Sequence, residues 1–378
     1  MPDQIEDSPS PKDTKDNYCS EFGRVIEQKL EAFKKSNVDP EKRFKAAIFS
    51  HAYPDPDAIG SMMGVQWILQ KAYGIESAMF YAGEVSHPQN NAMINLLDPA
   101  MRRVDDEYNA SEYNFHVLVD TVPKNAGVGT KEVCFDVVID HHKDSYLNGF
   151  KGFFIHVKAG SCASIVFHMM ECLVPESHWL NEDIDADTRV ATALLTGIVT
   201  DTEYLMSDDS TELEFDAFKK LFEFRNSQSL RDIVFFKRPK VWIDTKAAAC
   251  TQAKTNEDGV AIVGLGLIAE KQRDMVADMA DEMLSWASCE TSIAFAVVGG
   301  QKIVGCVRST NASVSVSDLC KRLGGKHGSG GGKQGKGAYQ YCLGQMGVDL
   351  DDDDDYLQKM WETFKDNEYR RISKLLEK

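Results

Sequence analysis

At 378 residues, 43% of them hydrophobic, the chain is long enough for two or three globular domains, and its formal net charge of −17 argues against a surface that coats long nucleic acid, which needs many Lys and Arg. No apolar run is long enough to span a bilayer, and Met1 to Asn17 is polar and broken by Pro2, Pro9 and Pro11, so neither membrane insertion nor secretion is expected and a cytoplasmic location is. Nine cysteines without a CxxC pair argue against a zinc ribbon or a disulfide framework.

Residues 1 to about 17 read as disordered, and Tyr18 to Lys35 spaces Phe22, Val25, Ile26, Leu30 and Phe33 as a peripheral helix would. From Arg43, strand-like segments (44–50, 77–81, 115–120, 135–140, 152–157) alternate or run together with helix-like ones (58–72, 90–97, 163–173, 186–199, 211–224). Short apolar runs separated by helices predict an α/β fold, a parallel sheet with helices on both faces. Asn226 to Lys246, with Lys237-Arg238-Pro239-Lys240 and no long period, reads as an interdomain connection. A smaller α/β unit follows, with strands at 260–267, 291–299 and 302–308, helices at 271–285 and 315–322, and a glycine-rich loop from Gly324 to Gly337. The acids from Asp349 to Asp355, interrupted only by Leu350, read as a solvated turn before a charged terminal helix. The expected plan is an extension (1–40), a first domain (41–225), a linker (226–250), a second domain across a cleft (251–345) and a tail (346–378).

Three apolar runs end in groups that bind cations. Phe44 to Phe49 leads to Ser50-His51 with Asp55 and Asp57 just beyond, Phe115 to Val119 leads to Asp120, and Phe135 to Ile139 leads to Asp140-His141-His142. The C-terminal ends of parallel strands are where open α/β sheets keep their chemistry. Pro54 and Pro56 predict an extended turn around Asp55 and Asp57, ahead of a helix whose N-terminus favours negative charge. Alone, each cluster reads as a turn or a helix cap. Together, so many acids and imidazoles at one sheet edge would be electrostatically costly without cations. Asp201, closing the apolar helix before Thr202, adds a further carboxylate. Carboxylate and imidazole without thiolate suit Mn2+ or Mg2+, with cobalt or iron as competitors, and two such ions would activate water for hydrolysis of a phosphate ester or anhydride.

At these residues the chain resembles the DHH phosphoesterases. His51-Ala-Tyr-Pro-Asp55-Pro-Asp57 is similar to the first motif of that family, Val119-Asp120-Thr121 to the second, Asp140-His141-His142 to the third and Thr200-Asp201-Thr202 to the fourth. The resemblance implies two divalent ions, Mn2+ first with Mg2+ or Co2+ as alternatives. One would be held by His51, Asp55 and Asp120, the other by Asp57, Asp120, His141 and Asp201, with Asp120 bridging. Asp140 would orient a ligand from behind, and His142 would face the scissile phosphate or leaving oxygen.

The second domain resembles the substrate-binding domain found beside DHH domains. Arg308-Ser309 would clamp a phosphate bidentately, and Gly330-Gly331-Gly332-Lys333 would cradle it, with Lys333 standing where the family loop commonly has His. Within the family the chain looks most like the short-oligoribonucleotide exonucleases that also dephosphorylate phosphoadenosine phosphate. A short RNA or small nucleotide needs only a local basic pocket, and a homodimer is allowed for. The alternatives are a cyclic- or linear-dinucleotide phosphodiesterase, an exopolyphosphatase, and an inactive nucleotide-binding regulatory module. A family II inorganic pyrophosphatase is the least expected, because its second domain lacks this glycine segment.

Overall fold

The computed structural model describes residues 11–37, 39, 41–128, 132–142, 147, 149–287 and 289–376. It divides into two compact units, Met1–Val85 with Gln89–Phe236, and Ser86–Pro88 with Lys237–Lys378. Among the described residues, no helix is long and apolar enough to cross a membrane.

The first unit runs α1 (Pro11–Ser36), β1 (Lys45–Phe49), α2 (Pro56–Tyr73), β2 (Glu76–Tyr81), α3 (Pro88–Leu97), β3 (Arg102–Arg103), α4 (Val104–Glu107), β4 (Phe115–Val119), β5 (Val137–Asp140), β6 (Phe153–His156), α5 (Cys162–Leu173), α6 (Asp185–Asp201), α7 (Glu212–Leu221) and α8 (Ser227–Val234). Its six strands are all parallel, in the order β3-β2-β1-β4-β5-β6. The chain moves outward from β1 through β2 to β3, then returns on the other side of β1 as β4. That reversal opens a crevice at the C-terminal ends of β1 and β4, where His51 and Asp120 follow.

Alternate strand residues face opposite sides of the sheet. Ala46 and Ile48 join one core with residues of α1, α2, α5 and α6, while Ala47 and Phe49 meet Phe80, Tyr108, Tyr113, Phe135 and Val104 of α4 in an aromatic layer on the other face. The first helix is not peripheral. Phe22 and Ile26 are fully buried in the main core, each contributing about 1.5–3 kcal/mol. Of the segment expected to be disordered, residues 1–10 lie outside the described residues, and helix begins at Pro11.

The second unit runs α9 (Lys240–Cys250), β7 (Lys254–Thr255), β8 (Val260–Ile268), α10 (Met275–Met283), β9 (Thr291–Val298), β10 (Lys302–Ser309), α11 (Val316–Gly324), β11 (Gly328–Lys333), β12 (Lys336–Cys342) and α12 (Asp354–Leu376). Its sheet, β11-β12-β10-β9-β8-β7, is mixed, with only β8 and β9 parallel. Ala294, Ala296 and Val298 of β9 pack with Met275 and Met279 of α10, and Ile293, Phe295 and Val297 pack with Leu319 of α11 and Trp361 and Phe364 of α12. The terminal helix is therefore part of this unit's core.

The stretch 226–246, read as the connection between domains, holds α8 and the start of α9, and the division between the two units falls within it, between Phe236 and Lys237. The glycine-rich segment is not a loop but the β11–β12 hairpin, closed by Gln334-Gly335. Its glycines answer a packing demand, since a Cβ at Gly330 would collide with the carbonyl oxygen of Cys320 in α11.

Candidate metal centre

Each side chain at the edge of the parallel sheet is aimed by a local device. His51 has Nδ1 committed to the Ala52 carbonyl (2.9 Å), which turns Nε2 toward Asp120 Oδ2 at 3.4 Å and Asp55 Oδ2 at 3.8 Å. Asp55 caps α2, accepting the Ala58 N–H on Oδ1 (3.0 Å), and so leaves Oδ2 for the histidine side. Such a cap is worth about 1 kcal/mol. Pro56 is the first helical residue, so Asp57 lies in the first turn of α2 and not in an extended turn. A proline's fixed φ and missing N–H suit that position.

Asp57 is buried and accepts the N–H groups of Cys162 (2.7 Å) and Ala163 (2.8 Å) at the start of α5. Gly197 of α6 brings the other carboxylate alongside, because a Cβ there would stand 2.9 Å from Asp57 Cα. Four residues on, Asp201 closes α6 with Oδ2 3.4 Å from His141 Nε2.

Asp120 follows β4 with φ of 57°, a left-handed conformation costing about 1–2 kcal/mol, while its N–H bonds the Ile139 carbonyl of β5 (2.8 Å). The turn sends one oxygen each way, Oδ1 to 3.4 Å from His141 Nε2 and Oδ2 to 3.4 Å from His51 Nε2. His141 has its Nδ1–H on the Ala159 carbonyl (3.1 Å), leaving Nε2 inward. His142 has Nδ1 on Asp140 Oδ1 (2.8 Å), and the buried Asp140 also accepts the His141 N–H (2.9 Å). His142 itself is half-exposed.

The ligand-capable atoms form three overlapping groups, each within 4.8 Å: His51-Asp55-Asp120, Asp57-His141-Asp201 and Asp120-His141-His142. The residues fit divalent cations. Asp120 Oδ1 and His141 Nε2 are buried with no hydrogen-bond partner, a rare and costly condition. Two ligand atoms each ~2.1 Å from one cation stand about 3 Å apart, close to what is seen here. The electrostatics agree. Burial pulls the His141 imidazole down, but Asp120, then Asp57 and Asp201, outweigh it and hold it at about 10. Burial raises the Asp120 carboxyl, yet His141 and His51 hold it well below the usual carboxylate range. Against burial, Asp120 and Asp55 likewise raise the His51 imidazole, so a positive charge at each ring, from a proton or from a cation, offsets the clustered acids.

A fourth acidic group, His168-Glu171-Asp216, is different. Both ring nitrogens of His168 are taken, by Glu171 Oε2 (3.0 Å) and the Leu213 carbonyl (3.1 Å), and Lys220 Nζ bridges Glu171 (2.5 Å) and Asp216 (2.8 Å). A lysine already fills the place of a cation.

Arg308 lies in β10 and Ser309 ends it. The Arg308 fork is engaged by Asp281, Nε to Oδ1 at 2.6 Å and Nη2 to Oδ2 at 3.1 Å. Ser309 Oγ shares a hydrogen bond with Thr291 Oγ1 (2.8 Å). Gly330, Gly331, Gly332 and Lys333 lie on the edge strand β11, so their backbone groups are arranged as a ladder with β12.

Sequence reasoning missed three features. His156 Nε2 bonds the His142 carbonyl (2.9 Å). Glu203, Tyr204 and Leu205, just past Asp201, all take left-handed φ values of 50°, 62° and 67°. Glu214, fully buried, reaches the turn before α5. Only the Thr211-x-x-Glu214 spacing carried a local signal, that of a capping box.

Residues 45–198 match the model of the DHH family, N-terminal domain. The similarity to that family covers the parallel sheet and the helices around it, and the second unit forms a separate C-terminal domain. It is 27% identical over 322 residues to an uncharacterized protein of Methanocaldococcus jannaschii, covering 85% of this chain and 63% of that one. It is 25% identical over 295 residues to the cyclic-di-AMP phosphodiesterase PdeA of Listeria monocytogenes (74% and 42%). It is 26% identical over 178 residues to a probable manganese-dependent inorganic pyrophosphatase of Lactobacillus delbrueckii (47% and 54%). The chain thus spans less than two thirds of these relatives. An exopolyphosphatase-related protein from Bacteroides fragilis shares the fold, with a TM-score of 0.61 at 16% identity, covering 92% of this chain and 98% of that one.

Proposed function

We propose that this chain hydrolyses a phosphodiester bond of a dinucleotide-sized substrate with two divalent cations, Mn2+ by preference. The observation that carries the two-cation reading is Asp120, whose two oxygens serve different groups, Oδ2 beside His51 and Oδ1 beside His141. In this reading His51 and Asp55 complete one site, and Asp57, His141 and Asp201 the other. When bound, the cations would supply charge to neutralise phosphoryl oxygens and acidity to a water nucleophile. Asp140 fixes the tautomer of His142 through Nδ1, leaving Nε2 to hold or pass a proton at the leaving oxygen. Arg308, Ser309, Gly330, Gly331, Gly332 and Lys333 are proposed to take the substrate's remaining phosphate and sugar groups.

The choice of a dinucleotide rests on how far each relative's match extends. The 295 residues shared with the cyclic-di-AMP phosphodiesterase exceed what the first unit holds, so that similarity reaches the second unit. The 178 residues shared with the pyrophosphatase would fit within the first unit alone. Short oligoribonucleotides, favoured on the sequence alone, carry the same phosphodiester, and phosphoadenosine phosphate, favoured with them, offers a phosphomonoester to the same cations, so both belong in the same test. The full chain with Mn2+ is assayed against cyclic and linear diadenylate, a short oligoribonucleotide, phosphoadenosine phosphate, polyphosphate and pyrophosphate. Preferred turnover of the diadenylates is expected. Turnover of pyrophosphate alone would overturn the substrate assignment, and turnover of none would overturn the enzyme.

A further inference from the structure

Glu214 has no exposed surface, and its two oxygens face different elements. Oε2 closes the capping box of α7, accepting the Thr211 N–H (2.7 Å) and Oγ1–H (2.7 Å). That cap needs only one oxygen. Oε1 turns the other way and accepts the Gly160 N–H (3.0 Å) and the Ser164 hydroxyl. A buried carboxylate is tolerated at this cost only because both oxygens are satisfied.

The turn it holds, residues 159–163, fixes two side chains of one metal group, Asp57 and His141, and packs beside the residue that follows the third, Asp201. The Ala159 carbonyl fixes His141 through Nδ1. The Cys162 and Ala163 N–H groups fix Asp57 through both oxygens. Gly160 lies against Thr202, the residue after Asp201, since a Cβ there would approach Thr202 Cγ2 to 2.8 Å and Glu214 Cδ to 3.3 Å. His51 is instead aimed by its own Ala52 carbonyl, and Asp55 by the start of α2.

We infer that Glu214 is a positioning residue for the Asp57-His141-Asp201 cation alone, holding the turn that fixes Asp57 and His141 and packs beside the residue after Asp201. This rests on the two-cation reading above. Partners behind metal ligands typically matter about 10–100-fold in metal affinity. The role acts through backbone and not through contact with substrate, so it should show as a difference between the two sites.

The test is calorimetric titration of Mn2+ into the metal-free full chain, with electron paramagnetic resonance to distinguish paired from isolated ions. Wild type should take up two ions per chain as a coupled pair. Glu214→Gln should weaken one site by about 10–100-fold and leave the other unchanged, converting the pair signal to an isolated one. Ser164→Ala, a gentler change on the same oxygen, should weaken the same site by less. In an Asp55→Ala background, adding Glu214→Gln should remove the remaining tight ion. A wild-type stoichiometry below two overturns the two-cation reading and this proposal with it. Equal weakening of both sites, or of neither, in the folded Ser164→Ala and Glu214→Gln variants overturns this proposal alone.

Discussion

Asp120 Oδ1 and His141 Nε2 face each other at 3.4 Å, both buried and neither hydrogen-bonded. A carboxylate and an imidazole at that distance would normally close to a hydrogen bond, and the fixed left-handed backbone of Asp120 together with the Ala159 anchor on His141 prevents it. The gap is the size of a shared cation. Asp120→Ala should therefore abolish tight binding of both ions, since one residue serves both groups, and reduce turnover by more than about 100-fold. Calorimetry on the variant checks it, and retention of two tight ions would exclude Asp120 as the bridge.

The same pair dictates a pH dependence. In the metal-free protein His141 is held at about 10, against about 6.5 in the unfolded chain. A raised imidazole pKa contributes stability that is fully present below pH 6.5 and is lost as pH rises through 10. Metal-free protein should accordingly lose stability between those values. A cation must displace the Nε2 proton, so Mn2+ affinity should rise with pH across the same window. Titrations at neutral pH in buffers of different ionisation heat should report release of at least one proton per chain. Binding without proton release would show that His141 is already neutral.

The ligands were legible because a parallel sheet buried on both faces forces its strands to be apolar until they end, which makes His51, Asp120 and Asp140-His141-His142 stand out at the stops. Pro56 reads as a helix breaker beside Asp57 in the sequence, which predicts an extended turn, while at the first helical position it is a starter. The glycine-rich segment misled for a tertiary reason. A loop that cradles an anion and a strand pressed against a helix backbone both demand missing side chains, and only the position of Cys320 decides between them. His156, Glu214 and Asp281 act on residues 14, 50 and 27 positions away, respectively, and no local periodicity encodes such pairings.

The left-handed turn after Asp201 makes a stability prediction with opposite signs at neighbouring positions. Glycine removes the left-handed penalty of about 1–2 kcal/mol but costs about 0.5–1 kcal/mol in unfolded-chain entropy. Glu203→Gly should therefore stabilise the protein by about 0.5–1 kcal/mol. Leu205→Gly relieves the same strain but deletes a side chain packed on the main core, so it should destabilise. Denaturant midpoints check both, and two changes of the same sign would mean that backbone strain does not govern this turn.

Arg308 and Asp281 form a bidentate pair that any anion bound to Arg308 would have to open. The guanidinium uses Nε and Nη2 on Asp281, and its Nη1 reaches the Gly337 carbonyl at 3.4 Å, so no edge of the fork is idle. Asp281 is half-exposed while Arg308 is nearly buried, which makes the acid the member able to move. If Arg308 takes a substrate phosphate, that phosphate must replace Asp281, and the acid acts as a resident competitor. Asp281→Ala should then lower KM for the diadenylate substrate with kcat little changed. Arg308→Ala should raise KM about 10–100-fold, the worth of one charge-assisted pair of about 1.5–3 kcal/mol, with Mn2+ stoichiometry unaltered. Steady-state kinetics beside metal titration separates the cases. A rise in KM for Asp281→Ala would mean that the pair acts as a brace for Arg308, and a loss of metal in Arg308→Ala would remove the arginine from substrate binding altogether.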